Sequence, residues 1–477
     1  MSDPLWSWAD LVAATGGTVD GAAPEAITGV SIDTRTIAAG DLFVALRDQR
    51  DGHDFVEAGF KAGAAAALVA SDYTRRPGDG ALLRVADPLA ALVALGRAAR
   101  KRSNARIVAV TGSVGKTGTK EMLRLALSEL GQVHASEKSY NNHWGVPLTL
   151  ARMPASAEFG VFEIGMNHAG EITPLVDMVR PHVAVITTVE PVHVGNFENG
   201  IDGVAEAKAE ILTGLVPGGT AVLPHDNAFY GMLRERASAL GARIVSFGFE
   251  AGADVRCVQM DLGPRGSSVI AGLDTQRIPY KIGAPGEHYV RNSLSVLAVS
   301  VALRVDPMKT MAPLLRVSAP QGRGARTLFK PAGGDESALP LLLIDESYNA
   351  NPASVRAALA ALGMVPRADH QRRIVVLGDM LEIGESAPQV HRELKEAVDA
   401  SGADLVFACG PMMRLLYEDL DPARHGAWTE TSQGLVTPVL EQLRGGDVVM
   451  IKGSLGTRMA PIVEAVRQRF GNGPGGE

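Results

Sequence analysis

Short apolar runs of about five residues alternate along this chain with stretches in which apolar positions recur every three or four residues. That pattern predicts strands alternating with helices. The middle of the chain shows it most clearly, with strands at 106–111, 159–164, 183–189, 220–224 and 243–247 and helices near 116–130, 170–179, 200–215 and 287–304. Alternation at this spacing argues a mainly parallel sheet. Residues 253–283 instead alternate polar and apolar positions between glycine turns, as an antiparallel meander does. Upstream, short β-type runs from Ile27 to Val44 precede an alanine-rich helical pattern (54–67), a strand (67–70) and a hydrophilic loop from Tyr73 to Gly80. Downstream of Ser318–Gly324, which reads as a linker, strands at 341–345, 373–378, 404–408 and 447–451 are each followed by a helical pattern. The expected fold class is α/β in three domains: a small N-terminal α/β domain (1–84), a central P-loop parallel-sheet domain (85–317) and a C-terminal Rossmann-like domain (318–477). The tail Gly471–Glu477 reads as disordered.

Composition narrows the class. At 477 residues the chain exceeds one ordinary core. Its 46% apolar and 21% charged residues, net charge of −7 and pI near 5.9 describe a globular protein with no basic surface for nucleic acid. No apolar stretch reaches membrane-spanning length and MSDPLWSWADL lacks a positive leader region, so the expectation is a cytoplasmic protein without a membrane partner, acting as a monomer. Cys257 and Cys409 have no companion that would make a zinc site or a redox pair.

The chemistry centres on Val108–Thr119, VAVTGSVGKTGT. An apolar β-branched run breaks at Gly112, and Gly115, Lys116 and Thr117 open a helical pattern. A glycine turn between strand and helix aims backbone N–H groups and the positive helix end at one spot, where Lys116 adds charge and the Thr117 hydroxyl suits Mg²⁺. Position 110 is Val110, so this is a short P-loop, G-x-x-G-K-T, with Thr111, Gly112, Ser113, Val114, Gly115, Lys116 and Thr117 as the candidate triphosphate cradle. The structural alternative is a plain βα turn; a strand before and a helix after favour the nucleotide. Glu163 and His193 fall past other strand ends, where a parallel sheet puts its active site, and are candidate Mg²⁺ ligands; a solvated strand end and an idle loop histidine are the alternatives. Lys208 lies on the apolar stripe of its helix with Val204 and Ile211, so it must snorkel, pair with an anion or lose its charge, and periodicity alone favours snorkelling. Asn141 and Asn142 either bond a sugar or phosphate or make a turn. Asp345 suits ribose hydroxyls and Tyr348 a base, with helix capping the alternative for Asn349 and Asn351. Arg323 either reaches a phosphate or is a solvated linker residue.

Together these stretches resemble the Mur ligases, ATP-dependent amide-forming enzymes of bacterial cell-wall precursor synthesis. The resemblance spans DTR, GDLFVAL and DGHDF, then TGSVGKT, NNHWGVPLTL, FEIGMNHAGEI and AKAEIL, then DESYNANPAS, VVLGDMLEIG and IKGSLGTRM. YNANP and LGDMLEIG look like the member that adds D-alanyl-D-alanine to UDP-N-acetylmuramoyl-tripeptide. The resemblance implies that Asp33, Thr34, Arg35, Gly52 and His53, with Asn142 nearby, hold the UDP-sugar, and that Gly112 to Thr117 hold the ATP phosphates. It further implies that Glu163 and His193 bind Mg²⁺, that Lys208 carries a carbamate suited to the same ion, and that Asn292, Asp345 and Arg323 approach adenine, ribose and phosphates. Tyr289 and Leu455 depart from the family pattern, beside the adenine and dipeptide contacts respectively.

The implied reaction activates a carboxylate as an acyl phosphate, which the dipeptide amine then attacks; water must be kept away, which suits domains able to close. Competing readings are another Mur-type or folylpolyglutamate-type ligase, and a P-loop NTPase switch with partner-binding domains.

Overall fold

The computed structural model describes residues 4–137, 140–192, 194–263, 266–318, 321–330 and 339–471. The chain divides into two compact units. One comprises Met1–Val189, Ala205–Arg256 and Leu294–Met311, the other Glu190–Val204, Cys257–Ser293 and Ala312–Glu477.

The first unit contains an antiparallel pair, Trp6–Ser7 with Ala26–Ile27, and two larger sheets. The smaller has five strands, in the order Thr18–Asp20, Ala81–Val85, Ala66–Ala70, Asp41–Val44 and Gly29–Ser31, parallel except at the first pair. One of its faces packs Val30, Leu42, Val44 and Leu68 against apolar residues of the helices Trp8–Thr15, Pro88–Arg102 and Gly145–Ala151, so the alternation of a strand puts its odd and even residues into separate cores. The second sheet is the parallel one expected from the mid-chain pattern. Its order is Arg243–Gly248, Thr220–Pro224, Val183–Ile186, Arg106–Thr111, Phe159–Glu163 and Val133–Ala135, every pair parallel. Arg106–Thr111 begins the series yet lies inside it, so the chain leaves to opposite sides and opens a crevice at the carboxyl end of that strand. Its last five residues are buried, as a strand covered on both faces requires.

Differences from the expected elements have local causes. The third parallel strand ends at Ile186 instead of 189, because Thr187 and Thr188 turn to bond the P-loop. The helix expected over 200–215 is α-helical over Gly200–Ala209 and continues as a 3₁₀ turn to Gly214. Val133–Ala135 is too short for periodicity to reveal, and Gly145–Ala151 reads as one continuous apolar run.

In the second unit, Gly266–Leu273 and Gln276–Ile282 form the antiparallel hairpin of the expected meander, paired from Ser267↔Ile282 to Leu273↔Gln276. A six-stranded sheet follows in the order Ala325–Phe329, Leu341–Glu346, Asp447–Lys452, Arg372–Gly378, Leu405–Cys409 and His425–Thr429. Only the first pair is antiparallel. Two strands, Ala325–Phe329 and His425–Thr429, were not evident from the pattern; both are sheet edges, and the second is only half-buried along its length. Residues such as Ile344, Val375, Leu377 and Met450 pack on one face, and Leu343, Ile374, Val376 and Ile451 on the other. The tail expectation falls almost wholly on residues outside those described.

Candidate active site

The glycine turn after Arg106–Thr111 is built by conformations only glycine adopts readily. Gly112 has φ +148°, and a Cβ there would lie 2.0 Å from Thr187 Oγ1; Gly115 has φ +87° and starts the helix Lys116–Ser128. The loop is tied down from the neighbouring strand. Thr187 Oγ1 donates to the Val114 carbonyl at 2.5 Å, and the Ser113 N–H donates to the Thr188 carbonyl at 2.9 Å. Lys116 Nζ bends over its own turn and donates to the Gly112 carbonyl at 2.5 Å and the Ser113 carbonyl at 3.3 Å. A triphosphate drawing the ammonium away would exchange these neutral acceptors for charged ones, the stronger partners. Thr111 is fully buried, and its Oγ1 has no hydrogen-bond partner among the described residues.

Glu163 ends the adjacent strand and is 1% exposed. Its Oε2 accepts from Thr117 Oγ1 at 3.0 Å and its Oε1 from Asn141 Nδ2 at 2.8 Å, while its backbone N–H donates to Ser136 Oγ at 3.2 Å. A P-loop hydroxyl, a carboxylate and a side-chain amide thus converge beside a cationic helix N-terminus. This oxygen-rich set fits a hard divalent cation such as Mg²⁺. Asn141 joins the carboxylate, and Asn142 acts in the turn, its Oδ1 accepting the Gly145 N–H at 2.9 Å. His193 lies outside the described residues.

Lys208 is 3% exposed, so it does not snorkel. Burial, reinforced by the positive charge of Lys116, holds its ammonium pKa well below the ordinary lysine value. No carboxylate pairs with it among the described residues.

The candidate sugar residues separate into two kinds. Asp33 caps the turn Thr34–Thr36 and grips Arg35 with both oxygens, Nη2 to Oδ2 at 2.6 Å. The Arg35 side chain is 87% exposed and Thr34 is half-buried, so both are presented to solvent. Gly52 and His53 are placed differently. His53 is 4% exposed; its Nε2 accepts the Ala70 N–H at 2.9 Å, and its Nδ1 proton goes to Asp51 Oδ1 at 2.5 Å. A Cβ on Gly52 would lie 2.4 Å from the Leu46 carbonyl oxygen. With both ring nitrogens used and the glycine pressed on backbone, His53 and Gly52 help hold this loop in shape.

The second unit gathers another set. Asp345, next to last in the strand Leu341–Glu346, accepts from Ser347 Oγ at 2.6 Å and pairs with Arg467 at 3.1 Å. Tyr348 lies under the Arg323 guanidinium, 4.4 Å from the ring centroid, and its N–H donates to the Gly322 carbonyl at 2.9 Å. Asn349 offers its carbonyl to the buried Lys452 at 3.0 Å, and Lys452 also pairs with Glu346 at 3.1 Å. Asn351 caps the helix Pro352–Gly363 through a reciprocal box with Ser354. Asn292 is buried in the helix that begins at Glu287. Near it, burial raises the Tyr289 pKa. Sequence reasoning missed Thr187, Ser136, Lys452 and Arg467 because each acts on a residue distant in sequence.

Comparison with known proteins agrees with this arrangement. The Mur ligase middle domain model matches residues 110–300 and the Mur ligase, glutamate ligase domain model residues 336–455. The UDP-N-acetylmuramoyl-tripeptide–D-alanyl-D-alanine ligase of Escherichia coli (strain K12) is 32% identical over 447 residues, 92% of this chain and 93% of the relative. That of Bacillus subtilis (strain 168) is 31% identical over the same shares of each chain. Among solved structures, MurF from Acinetobacter baumannii superimposes with a TM-score of 0.81 at 29% identity, covering 98% of this chain and 99% of the other. MurF from Thermotoga maritima in complex with ADP shares the fold, with a TM-score of 0.73 at 23% identity, over 93% of this chain and 98% of the other. With the phosphate loop, the carboxylate beside it and near full-length similarity all in agreement, this chain belongs to the Mur ligase family, among the UDP-N-acetylmuramoyl-tripeptide–D-alanyl-D-alanine ligases.

Proposed function

We propose that this protein joins D-alanyl-D-alanine to UDP-N-acetylmuramoyl-tripeptide at the expense of ATP, through an acyl phosphate on the tripeptide carboxylate. The observation that carries the reading is the contact of Thr117 with Glu163 directly behind the Gly112–Gly115 turn, in a chain of this family. The turn and Lys116 hold the triphosphate and offset the charge that develops as the γ-phosphoryl leaves for the carboxylate. Thr117 and Glu163, with His193 as a further candidate, would hold Mg²⁺, which when bound supplies charge neutralisation between phosphate oxygens. The dipeptide amine attacks the acyl carbon, a tetrahedral adduct forms, and phosphate departs.

Lys208 is assigned the carbamate role. Its burial and lowered pKa leave an amine able to add CO₂, and the product reverses its charge from positive to negative. Residues 1–84, led by Asp33, Thr34 and Arg35, are assigned the nucleotide-sugar, 85–317 the ATP phosphates, and 318–477, with Asp345, Tyr348, Asn349 and Arg323, the ribose, base and phosphate contacts. Asn292 is assigned to adenine. Because the reaction consumes ATP and a nucleotide-linked sugar, the cytoplasm is the matching compartment.

A coupled assay of ADP release with defined acceptors tests the whole. Release strictly dependent on both UDP-N-acetylmuramoyl-tripeptide and D-alanyl-D-alanine is expected; hydrolysis independent of either would favour an NTPase switch, and a preference for another amine another ligase of the fold.

A further inference from the structure

The sheet edge that presents the P-loop carries a second polar cluster, which the ligase chemistry does not use. The strands Thr220–Pro224 and Arg243–Gly248 are parallel neighbours in register from Thr220↔Arg243 to Pro224↔Phe247, so the turns that follow them emerge side by side. The first turn supplies His225 and Asp226, the second Glu250. His225 Nδ1 stands 3.9 Å from Asp226 Oδ1 and 3.8 Å from Glu250 Oε2, and one donor atom from each of the three residues lies within 4.8 Å of the others. These distances are too long for N–H···O bonds. Nδ1 is nevertheless buried from solvent and has no hydrogen-bond partner among the described residues. A buried imidazole nitrogen facing two carboxylate oxygens without bonding either calls for a third party.

We propose that His225, Asp226 and Glu250 form a binding site for a first-row divalent cation of the zinc class. One imidazole and two carboxylates make a mixed nitrogen and oxygen donor set, which favours such ions over Mg²⁺. Donors about 2.0 to 2.2 Å from a tetrahedral ion stand about 3.3 to 3.6 Å apart, so the two spacings from His225 close with shifts of a few tenths of an ångström, while the carboxylates, within 4.8 Å of each other, close through movement of Glu250. Asp226 is set in place beforehand, its Oδ2 accepting the Phe249 N–H at 2.6 Å and its Oδ1 the Glu250 N–H at 3.0 Å. Glycine on the opposing turn leaves the donors room. A Cβ on Gly248 would lie 2.3 Å from Asp226 Oδ1, and one on Gly252 2.7 Å from His225 Nε2. Glu250, 68% exposed, is the arm that closes as the ion enters.

The site shares no ligand with Thr117 and Glu163, but it is wired to the same loop. Asn227, the next residue, donates from Nδ2 to Thr188 Oγ1 at 3.2 Å and to the Val189 carbonyl at 3.0 Å, and the Thr188 carbonyl accepts the Ser113 N–H of the P-loop. An ion that stiffens the turn at residues 225–227 therefore acts on the nucleotide loop through two hydrogen bonds.

The test titrates the full chain with Co²⁺ in the absence of ATP and Mg²⁺. A visible ligand-field band saturating at one equivalent, displaced by Zn²⁺ but not by excess Mg²⁺, is expected. His225→Gln and Glu250→Gln should each lose the band while keeping the wild-type thermal midpoint in metal-free buffer. Because Glu250 is exposed, its variant separates lost ligation from lost folding. A wild-type affinity weaker than about 1 mM, or a band unchanged in both variants, overturns the site. In wild type alone, Zn²⁺ should also shift the KM for ATP by threefold or more; an equal shift in Glu250→Gln would remove the coupling to the loop. The binding measurements do not depend on the ligase assignment, so either can fail alone.

Discussion

Thr117 Oγ1 donates to Glu163 Oε2 at 3.0 Å, joining the first turn of the P-loop helix to the end of the adjacent strand across 46 residues of sequence. The pair makes a hydroxyl and a carboxylate one oxygen-donor unit beside the phosphate cradle. Glu163→Gln keeps the shape and a hydrogen-bond acceptor for Thr117 but removes the charge. It should raise the Mg²⁺ concentration needed for half-maximal rate and lower kcat by about 10²-fold or more, a loss of the size seen when one charge-stabilising group goes. A Mg²⁺ titration checks this, and an unchanged half-saturation point would remove Glu163 from the metal site.

Lys116 Nζ donates to the Gly112 and Ser113 carbonyls of its own loop. Lys116→Ala should therefore leave the thermal midpoint close to wild type and lower kcat by about 10²–10³-fold. Near-normal turnover would show that the lysine is a loop clasp and nothing more.

Lys208 ties function to pH. The pKa of this basic group is lower in the fold than in the unfolded chain. At any pH between the two values the unfolded state therefore binds more protons, and stability rises with pH across the window from the depressed pKa up to the ordinary value of 10.5. Replacing the lysine by methionine should flatten that rise and abolish activity. Added short carboxylates should restore part of the rate to Lys208→Ala, and ¹³C-labelled CO₂ should give a carbamate signal in wild type only. Full activity in Lys208→Arg without any such signal would establish a cation instead.

Arg35 stands exposed, its guanidinium gripped by Asp33. Removing it with Arg35→Ala should raise the KM for the UDP-substrate at least several-fold and leave the ATP dissociation constant unaltered. Calorimetry with each ligand in turn separates the two, and a weakened ATP affinity would exchange the assigned domain roles.

Gly52 tests how tightly the DGHDF segment is packed. A methyl group there meets the Leu46 carbonyl at 2.4 Å and the Leu46 nitrogen at 2.7 Å. Gly52→Ala should cost about 1–3 kcal/mol in urea unfolding, the range for overpacking a tight site. A variant of wild-type stability with a raised KM for the nucleotide-sugar would return the glycine to the binding surface.

Local pattern was enough for the parts whose information is local. Gly112 and Gly115 announce a turn because only glycine takes φ near +148° or +87° without strain, and the buried Arg106–Thr111 strand ahead of it is a continuous apolar run. Lys208 stood out as a charge on an apolar stripe, yet periodicity could not distinguish a snorkelling lysine from a buried one. That difference is the depth of the surrounding packing, which only the tertiary structure contains. The same holds for His53, whose motif marks a loop but whose Nε2 is spent on Ala70 from the neighbouring strand. Edge strands such as His425–Thr429, half-buried throughout, lack the alternation that a solvent face against a core face imposes, so sheet pairing and not pattern defines them. The His225, Asp226 and Glu250 cluster was likewise invisible along the chain, because parallel register alone brings the two turns together. Sequence by itself thus determined where the backbone must bend and which runs must be buried, since those are properties of single residues and their neighbours. Which side chains meet was decided by strand order and register, which arise from burial and hydrogen bonding between segments far apart in the chain.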